Sequence, residues 1–503
     1  LVQPSRATAE VFAALDLGSN SFHLLLARFE RGKLVVIDRL KESVRIGNGL
    51  QPDGTLSTAT MNEAIAALGR LGERLRKLPP ANVRVVGTNT LRAAKNRDVF
   101  LVRAEKALGV PINVISGVEE ARLIYQGVAH DFTPGSKTRL VVDIGGGSTE
   151  FVLGRAKPQQ LESLYMGCVS FSKQFFPDGR LTRRNYDRAV LAARGELQGI
   201  VSGFGAGNWK EAVGSSGTVR TIERVLDAMG LTRHHVITPE GLDGLAEEVI
   251  AARDVELLQL PGLDDERRPV FAGGLAVLHG VFQELGIDAM HVSMYAIREG
   301  IIYDLAGQRQ RRDTRVETIE NMVEQYHVDR EQARRVGRLA LALFGQVEQQ
   351  IETDAEQARQ LLRWAVDLHE IGLSIAHSAY HKHGAYIVAN SDMPGFSRQE
   401  QGVLSFLVLN HRRKLKPQPT GYGAAPDWKL IAILRLACLL LRRRAAAAVP
   451  RGLTLRLNGQ RLRLQLPAGW LDRHPLTRED LVQEKALLAG IGLDLAVQSL
   501  PAK

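Results

Sequence analysis

The chain opens on three apolar runs separated by small or polar turns: VFAALDL at 11–17, FHLLLARF at 22–29 and KLVVID at 33–38, with GSNS and ERG between them. Runs of that length, broken by Gly, Ser and Asn, predict strands joined by tight turns. After the polar QPDGTLS, apolar residues recur at Met61, Ile65, Leu68, Leu71 and Leu75, the spacing of one helix face over 57–77. VRVVG (83–87), a helical stretch near 97–107, PINVIS (111–116) and a helix from Val118 then alternate, which predicts an α/β layer architecture. The loop-like HDFTPGSK (130–137) precedes a second opening, RLVVDIGGGSTEFVLG. In register, the eleven residues from Asp16 (DLGSNSFHLLL) pair with those from Asp143 (DIGGGSTEFVL), so that the acid, the first glycine, the serine and the apolar strand coincide. This internal repeat predicts two similar α/β halves facing each other across a cleft.

From about residue 310 the pattern changes. RQRRD is followed by helical spacing up to Ala448, and then by LTLRLNGQRLRLQL, a hairpin expected to turn at Asn458-Gly459 with Leu455 opposite Leu462 and Leu453 opposite Leu464. The expected domains are 1–131, 132–309, 310–448 and 449–503.

Composition narrows the class. Of 503 residues 45% are hydrophobic, which excludes a disordered chain, and 65 Lys+Arg against 55 Asp+Glu leave a net charge of +10. The apolar run LIAILRLACLLL (430–441) is interrupted by Arg435 and falls short of the ~20 residues of a membrane span. The opening LVQPSRATAEVF lacks the apolar core of a secretory leader. Cys168 and Cys438 lie far apart without metal-type spacing, which reads as two reduced thiols in a cytoplasmic protein.

The chemistry-bearing residues sit in the turns of the repeat. Gly145, Gly146 and Gly147 let backbone N–H groups approach an anion, and Ser148 and Thr149 add hydroxyls. Gly18, Ser19, Asn20 and Ser21 form a similar turn, and GSSGT, with Ser215, Ser216, Gly217 and Thr218, precedes a helix whose N-terminus favours negative charge. Asp143 and Glu150 flank one turn. Two hard carboxylates beside a phosphate site suit Mg²⁺ or Mn²⁺, and they can equally serve as turn cap and solvated acid. On the helix from Val118, Val118, Ala121, Ile124, Tyr125 and Val128 form one stripe; Glu120 lies on its border, the place for a partly buried base, while Glu119 is expected to face solvent. Arg92 and Arg298 are candidate phosphate ligands, and HRRKLK (411–416), RRR (442–444) and RQRR (309–312) are basic clusters without the aromatic interleaving used to stack nucleic-acid bases. His369, His377, His381, His383 and His411 have irregular spacing and no HExxH, so they are not read as a metal site.

Taken together, LDLGSNSFHLLLA, GTNTLRAAKN, ISGVEEARLIYQGV, VVDIGGGSTEFVLG, GSSGTVRTIE, IREGIIYDL and LLRWAVDLHEIGLSIAHSAYHKHGAYIVANSDMPGF resemble the bacterial exopolyphosphatase and guanosine pentaphosphate phosphohydrolase family over about residues 11–415. The chain looks closest to the long, four-domain exopolyphosphatases. The resemblance implies an α/β fold of duplicated ribonuclease-H-like (actin-like ATPase) domains, then a helical HD-like domain and a small α+β module. It implies Glu120 as general base, Asp143 and Glu150 at the metal and catalytic water, Gly145, Gly146, Gly147 and Ser148 as phosphate loop, and Asn20, Ser21, Arg92 and Arg298 lining the cleft. It further implies Mg²⁺ or Mn²⁺, K⁺ and a homodimer. The expected substrate is inorganic polyphosphate, cleaved by water one orthophosphate at a time. Guanosine pentaphosphate is the alternative substrate, it or the tetraphosphate is a possible inhibitor, and no nucleic-acid partner is expected. A kinase or ATPase on the same fold is the rival from another class, and a non-catalytic alarmone sensor a third. Two departures stand out: Met294 where the family commonly has Asp, and His369-Glu370 in place of the His-Asp pair of the HD metal site, so the helical domain is expected to bind the polyanion or the dimer partner.

Overall fold

The alternation of the first forty residues becomes a meander in the computed structural model, which describes residues 10–30, 32–132, 137–232, 234–309, 313–417, 427–445 and 449–499. The basic RQRR cluster at 309–312 and the middle of the 130–137 loop lie outside the described residues, apart from the backbone of Arg309. Strands β1 (Val11–Leu17), β2 (Phe22–Glu30) and β3 (Lys33–Glu42) pair antiparallel. On its other side β1 pairs parallel with β4 (Val83–Gly87), and β4 with β5 (Asn113–Val114). The helices of this half are α1 (Thr58–Leu75), α2 (Asn89–Ala93), α3 (Arg97–Leu108) and α4 (Gly117–Asp131).

The second half repeats the topology. Strands β6 (Arg139–Ile144), β7 (Thr149–Gly154) and β8 (Pro158–Leu164) form the meander, and β9 (Glu211–Ser215) and β10 (Met290–Val292) the parallel side. The sheet orders β3-β2-β1-β4-β5 and β8-β7-β6-β9-β10 correspond strand for strand. Here the helices are α5 (Cys168–Phe175), α6 (Arg183–Leu197), α7 (Val201–Phe204), α8 (Ser216–Ala228), α9 (Pro239–Ala251), α10 (Arg268–Leu285) and α11 (Ile297–Arg309).

Between the two sheets lie α4 and α11. Ala14 and Val86 of the first sheet, Val141, Val152 and Val213 of the second, and Ala121, Ile124, Ile297 and Ile301 of the helices share one apolar core. The helices cross at glycines: a Cβ added at Gly300 would lie 1.8 Å from the Leu123 carbonyl oxygen, and one at Gly127 2.2 Å from that of Ala296. No side chain fits there, so the backbones touch.

The chain divides into two compact units, Leu1–Arg312 and Asp313–Lys503. The second holds α12 (Thr314–Gln325), α13 (Arg330–Gly345), α14 (Ala355–Leu368), α15 (Tyr380–Asn390), α16 (Arg398–Asn410), α17 (Trp428–Leu440) and α18 (Pro475–Ala489), with β11 (Thr454–Asn458), β12 (Arg461–Leu466) and β13 (Asp494–Ser499) in one sheet. Its helices and sheet share a single core. The hairpin register differs from the expectation: Leu457 faces Leu462 and Leu455 faces Leu464, with Gly459 and Gln460 in the turn. The slip is two residues, one full side-chain period, so the same leucines still share the buried face. Among the described residues no helix is long and apolar enough to cross a membrane.

The glycine crossing is testable. Gly300→Ala is expected to destabilise the N-terminal unit by about 1–3 kcal/mol through overpacking. Gly69→Ala, at a helical position with nothing within 4 Å of the added methyl, is expected to stabilise it by up to about 1 kcal/mol. Urea unfolding midpoints of the two variants should move in opposite directions.

Candidate active site

Because β1 and β6 occupy equivalent places, the turns that follow them meet. A Cβ added at Gly146 would lie 2.8 Å from Cβ of Ser19, so the two repeat turns are in direct apposition. The turn at 145–148 is closed by a bond from the Gly145 N–H to the Ser148 carbonyl (2.9 Å), and the first turn of α5 donates to it from Cys168 (3.0 Å, to Gly145) and Val169 (2.8 Å, to Gly146). The Gly145 N–H is thereby committed to the turn itself. The third turn also reaches the site: Ser216 opens α8 at φ 87°, a strained conformation for a residue with a Cβ, and its hydroxyl accepts from the N–H groups of Thr218 (3.2 Å) and Val219 (3.3 Å).

These turns surround a cavity of about 130 Å³. Of the residues read from the sequence, Gly18, Ser19, Asn20, Ser21, Glu120, Asp143, Gly145, Gly146, Ser148, Ser216, Gly217, Thr218 and Arg298 line it. Four do not. Gly147 packs toward Asn89, whose Oδ1 would lie 2.4 Å from an added Cβ. The Ser215 hydroxyl lies within hydrogen-bonding reach of both the Tyr295 carbonyl (3.1 Å) and the Asp143 carboxylate, and its single proton serves one of them at a time. Glu150 stands directly across the β6–β7 ladder from Asp143 but is buried behind the wall, accepting from Ser163 at 2.9 Å. Arg92, expected as a phosphate ligand, instead directs its guanidinium to Glu120 (2.6 Å) and the Ile115 carbonyl (3.1 Å). The one-turn helix α2 carries it under α4, where it fixes the carboxylate that faces the cavity.

The solvent-facing expectation for Glu119 is corrected by the structure. Glu119 is fully buried and bonds Arg122 through both oxygens (2.7 and 2.9 Å) and Arg84 at 3.2 Å, while Asp304 of α11 bonds Arg122 at 2.8 Å and also pairs with Arg84. Helical periodicity located the apolar stripe correctly. It could not show that α4 lies in a middle layer, where the opposite face is also covered and an ion network replaces water.

Sequence reasoning missed several lining residues: Asp16 as a site acid, His23, Thr88, Asn89, Arg220 and Arg267. Two had a signal in the repeat, because Asp16 aligns with Asp143 and His23 with Glu150, and in the fold Asp16 faces His23 as Asp143 faces Glu150. Arg220 lies in GSSGTVRTIE, two residues beyond Thr218, and was not singled out there; Arg267 carries no motif. Met294, standing where an acid was expected, is 61% exposed and takes part through its backbone: its carbonyl accepts from Arg220 (3.0 Å) and its N–H donates to Asp131 (2.8 Å).

The electrostatics are opposed by design of the fold. Burial, then the nearby Glu120 charge, push Asp16 up to about 7, and burial pushes Asp143 up to about 6 against the lowering Ser215 bond. Burial and Glu120 likewise hold Glu150 well above the usual carboxylate range. Burial and the positive charge of Arg298, Arg267, Lys41 and Arg220 pull His23 down to about 3. Facing these acids are Arg220, Arg267 and Arg298, none of which is in an ion pair among the described residues. Asp16 Oδ1 and Glu150 Oε2 are buried without hydrogen-bond partners among the described residues. Such orphaned oxygens fit a cation, although no three His, Cys, Asp or Glu side chains among the described residues converge as a metal cage. Mg²⁺ needs only one or two carboxylates with waters and phosphate oxygens.

Two stability predictions result. Glu119→Gln is expected to cost about 3 kcal/mol by leaving Arg122 and Arg84 underpaired. Glu120→Gln loses the Arg92 pair but relieves repulsion with Asp16, Asp143 and Glu150, for a net change within about 1 kcal/mol. Thermal unfolding of both variants checks this. For Asp16 the folded pKa is raised, so the folded state binds the extra proton and stability falls as pH rises from about 4 to 7. In chelator, Asp16→Asn is expected to be more stable than the parent at pH 8, on the order of 2–4 kcal/mol, with the gain vanishing toward pH 4; a pH series of unfolding midpoints measures it.

The chain is similar to known proteins over most of its length. The chain is 40% identical over 476 residues to guanosine-5'-triphosphate,3'-diphosphate pyrophosphatase of Aeromonas hydrophila, covering 94% of this chain and 95% of the relative. It is 39% identical to the protein of the same name from Pseudoalteromonas translucida, covering 97% and 98%. Among solved structures, an exopolyphosphatase-like protein is 26% identical, with TM-score 0.54 over 60% of this chain and 99% of that one. An exopolyphosphatase from Cytophaga hutchinsonii shares the fold, at 22% identity and TM-score 0.52 over 59% and 98%. The duplicated α/β unit is thus the actin-like fold. Residues 25–309 match the Ppx/GppA phosphatase family and residues 314–485 match its domain III, and the chain belongs to that family.

Proposed function

We propose that the chain hydrolyses the terminal 5′ phosphoanhydride of guanosine-5'-triphosphate,3'-diphosphate, releasing orthophosphate and the 5′-diphosphate. The observation that supports this reading is the likeness, at 39–40% identity over nearly the full length, to two proteins of that name, which extends through both units. The site chemistry is that of a terminal phosphoryl group. Three arginines without an acid partner among the described residues and the small-residue turns can hold a dense anion, and Glu120, anchored by Arg92, faces the same space.

In this mechanism Glu120 accepts a proton from water as the water oxygen attacks the terminal phosphorus in line. The new P–O bond forms as the bridging P–O bond breaks, and the departing diphosphate carries the charge away. Arg220, Arg267 and Arg298 neutralise the phosphoryl oxygens, and the hydroxyls of Ser148 and Thr218 hold them in place. A divalent cation, Mg²⁺ or Mn²⁺, would be held by Asp143 with Asp16 on the cavity wall and Glu150 behind, and supplies positive charge to the phosphates when bound.

A second reading, the release of orthophosphate from inorganic polyphosphate, is favoured by the likeness to the exopolyphosphatase-like structure and by the net charge of +10. The two substrates end in the same bond. Initial rates of phosphate release from the guanosine compound, long-chain polyphosphate and ATP separate the readings: the first predicts a kcat/KM at least ~10-fold above the others for the guanosine compound, and a higher value for polyphosphate overturns it. Glu120→Gln is expected to lower kcat by at least ~10²-fold. Excess chelator should abolish turnover, and Asp143→Asn should raise the Mg²⁺ concentration required.

A further inference from the structure

The C-terminal unit holds a cavity of about 490 Å³ whose wall comes from that unit alone, within the range of small-molecule sites. It is bordered by the turn after α14, the start of α15, the end of α16, and α17 and α18.

Its charges do not balance. Arg435 is held by Glu484 and by the carbonyls of Asn410 and Arg413, Arg442 by Asp480, and Arg444 by Asp329 and Glu370. That accounts for every acid on the wall and leaves Arg412 and Arg413 with no acid partner among the described residues. The Arg412 guanidinium lies 4.5 Å over the ring of Tyr380, fixed by an aromatic face and open to an anion.

The same cavity also wants a donor. Glu370 is 8% exposed; its Oε1 accepts from Arg444 at 2.6 Å, and its Oε2 is buried with no hydrogen-bond partner among the described residues. His369 and His411 each bond a backbone carbonyl through Nδ1, at 2.6 Å. A carbonyl only accepts, so Nδ1 carries the hydrogen and Nε2 presents a lone pair. Burial lowers both histidines, so both stay neutral acceptors in the absence of an anion. The pair His369-Glu370 is not part of a metal cage, because no three ligating side chains converge among the described residues.

Inorganic phosphate supplies acceptors but few donors at neutral pH, and a bare cation has no use for two unpaired arginines. We propose that this cavity binds a nucleoside polyphosphate, its phosphates on Arg412 and Arg413 and an N–H or O–H of its nucleoside on Glu370 Oε2. This site is independent of the hydrolytic one and does not rest on its substrate.

Hydrogen-exchange mass spectrometry of the full chain tests it with guanosine 5′-(β,γ-imido)triphosphate, tripolyphosphate and guanosine as separate probes. The nucleotide is expected to slow exchange in peptides covering 369–383 and 408–416, and neither fragment alone at the same concentration should match it. In the Arg412→Ala/Arg413→Ala variant that protection should need about tenfold more nucleotide, while phosphate release at the other site stays within about twofold. No protection in these peptides, equal protection by tripolyphosphate alone, or unchanged protection in the double variant would each overturn the proposal. Phosphate release measured in parallel reads the hydrolytic site separately.

Discussion

The structure depends on one crossing. Where α4 and α11 touch at Gly127 and Gly300, no side chain separates the backbones, and the two helices behave as one rigid piece between the sheets. α4 brings Glu120 and α11 brings Arg298 to the same cavity. Glu119, the neighbour of Glu120, and Arg122 tie α4 to Asp304 of α11, with Arg84 joining from β4. The ion network is expensive to bury and poor as a source of net stability, but its geometry is directional where apolar packing is not. Its effect is to fix the rotation of α4, and with it the direction in which Glu120 points.

The cavity is built on unresolved charge. Asp16, Asp143 and Glu150 are buried close to Glu120, and three arginines face them without pairing. Direct pairing would fill the space and quiet both sets. Held apart, the acids resist ionisation and the arginines lack an anion; in the proposed reading a phosphoryl group with its counter-cation would satisfy both at once. The strained start of α8 at Ser216 belongs to the same economy of function over stability.

Much of this was legible from the sequence, and the reason is the repeat. Aligning Asp16 with Asp143 gave two halves of one topology, the two turns and the cleft between them, because a duplicated strand-turn-strand has few ways to pack. What escaped was whatever depended on a third layer. Glu119 was read as solvated because periodicity describes one helix and one face, whereas α4 is covered on both. Arg92 was read as a phosphate ligand, and in the structure its guanidinium pairs with Glu120, a contact that spacing alone does not reveal. Arg220 sits on α8 and Arg267 in the turn before α10, and they reach the cavity only through the fold. The hairpin register slipped by two because Gly459 satisfies a turn in either frame, and the alternating leucines are indifferent to an even shift. Substrate choice was the least legible: both candidates end in the same anhydride, and only kinship over the whole length favours the guanosine compound.

The central claim is that water, activated at Glu120, attacks the terminal phosphorus directly. Hydrolysis of the guanosine compound in ¹⁸O-labelled water under single-turnover conditions tests it most directly. The account predicts one ¹⁸O atom in the released orthophosphate and none in the nucleotide product. Label in the nucleotide would place the attack at the inner phosphorus and contradict the account.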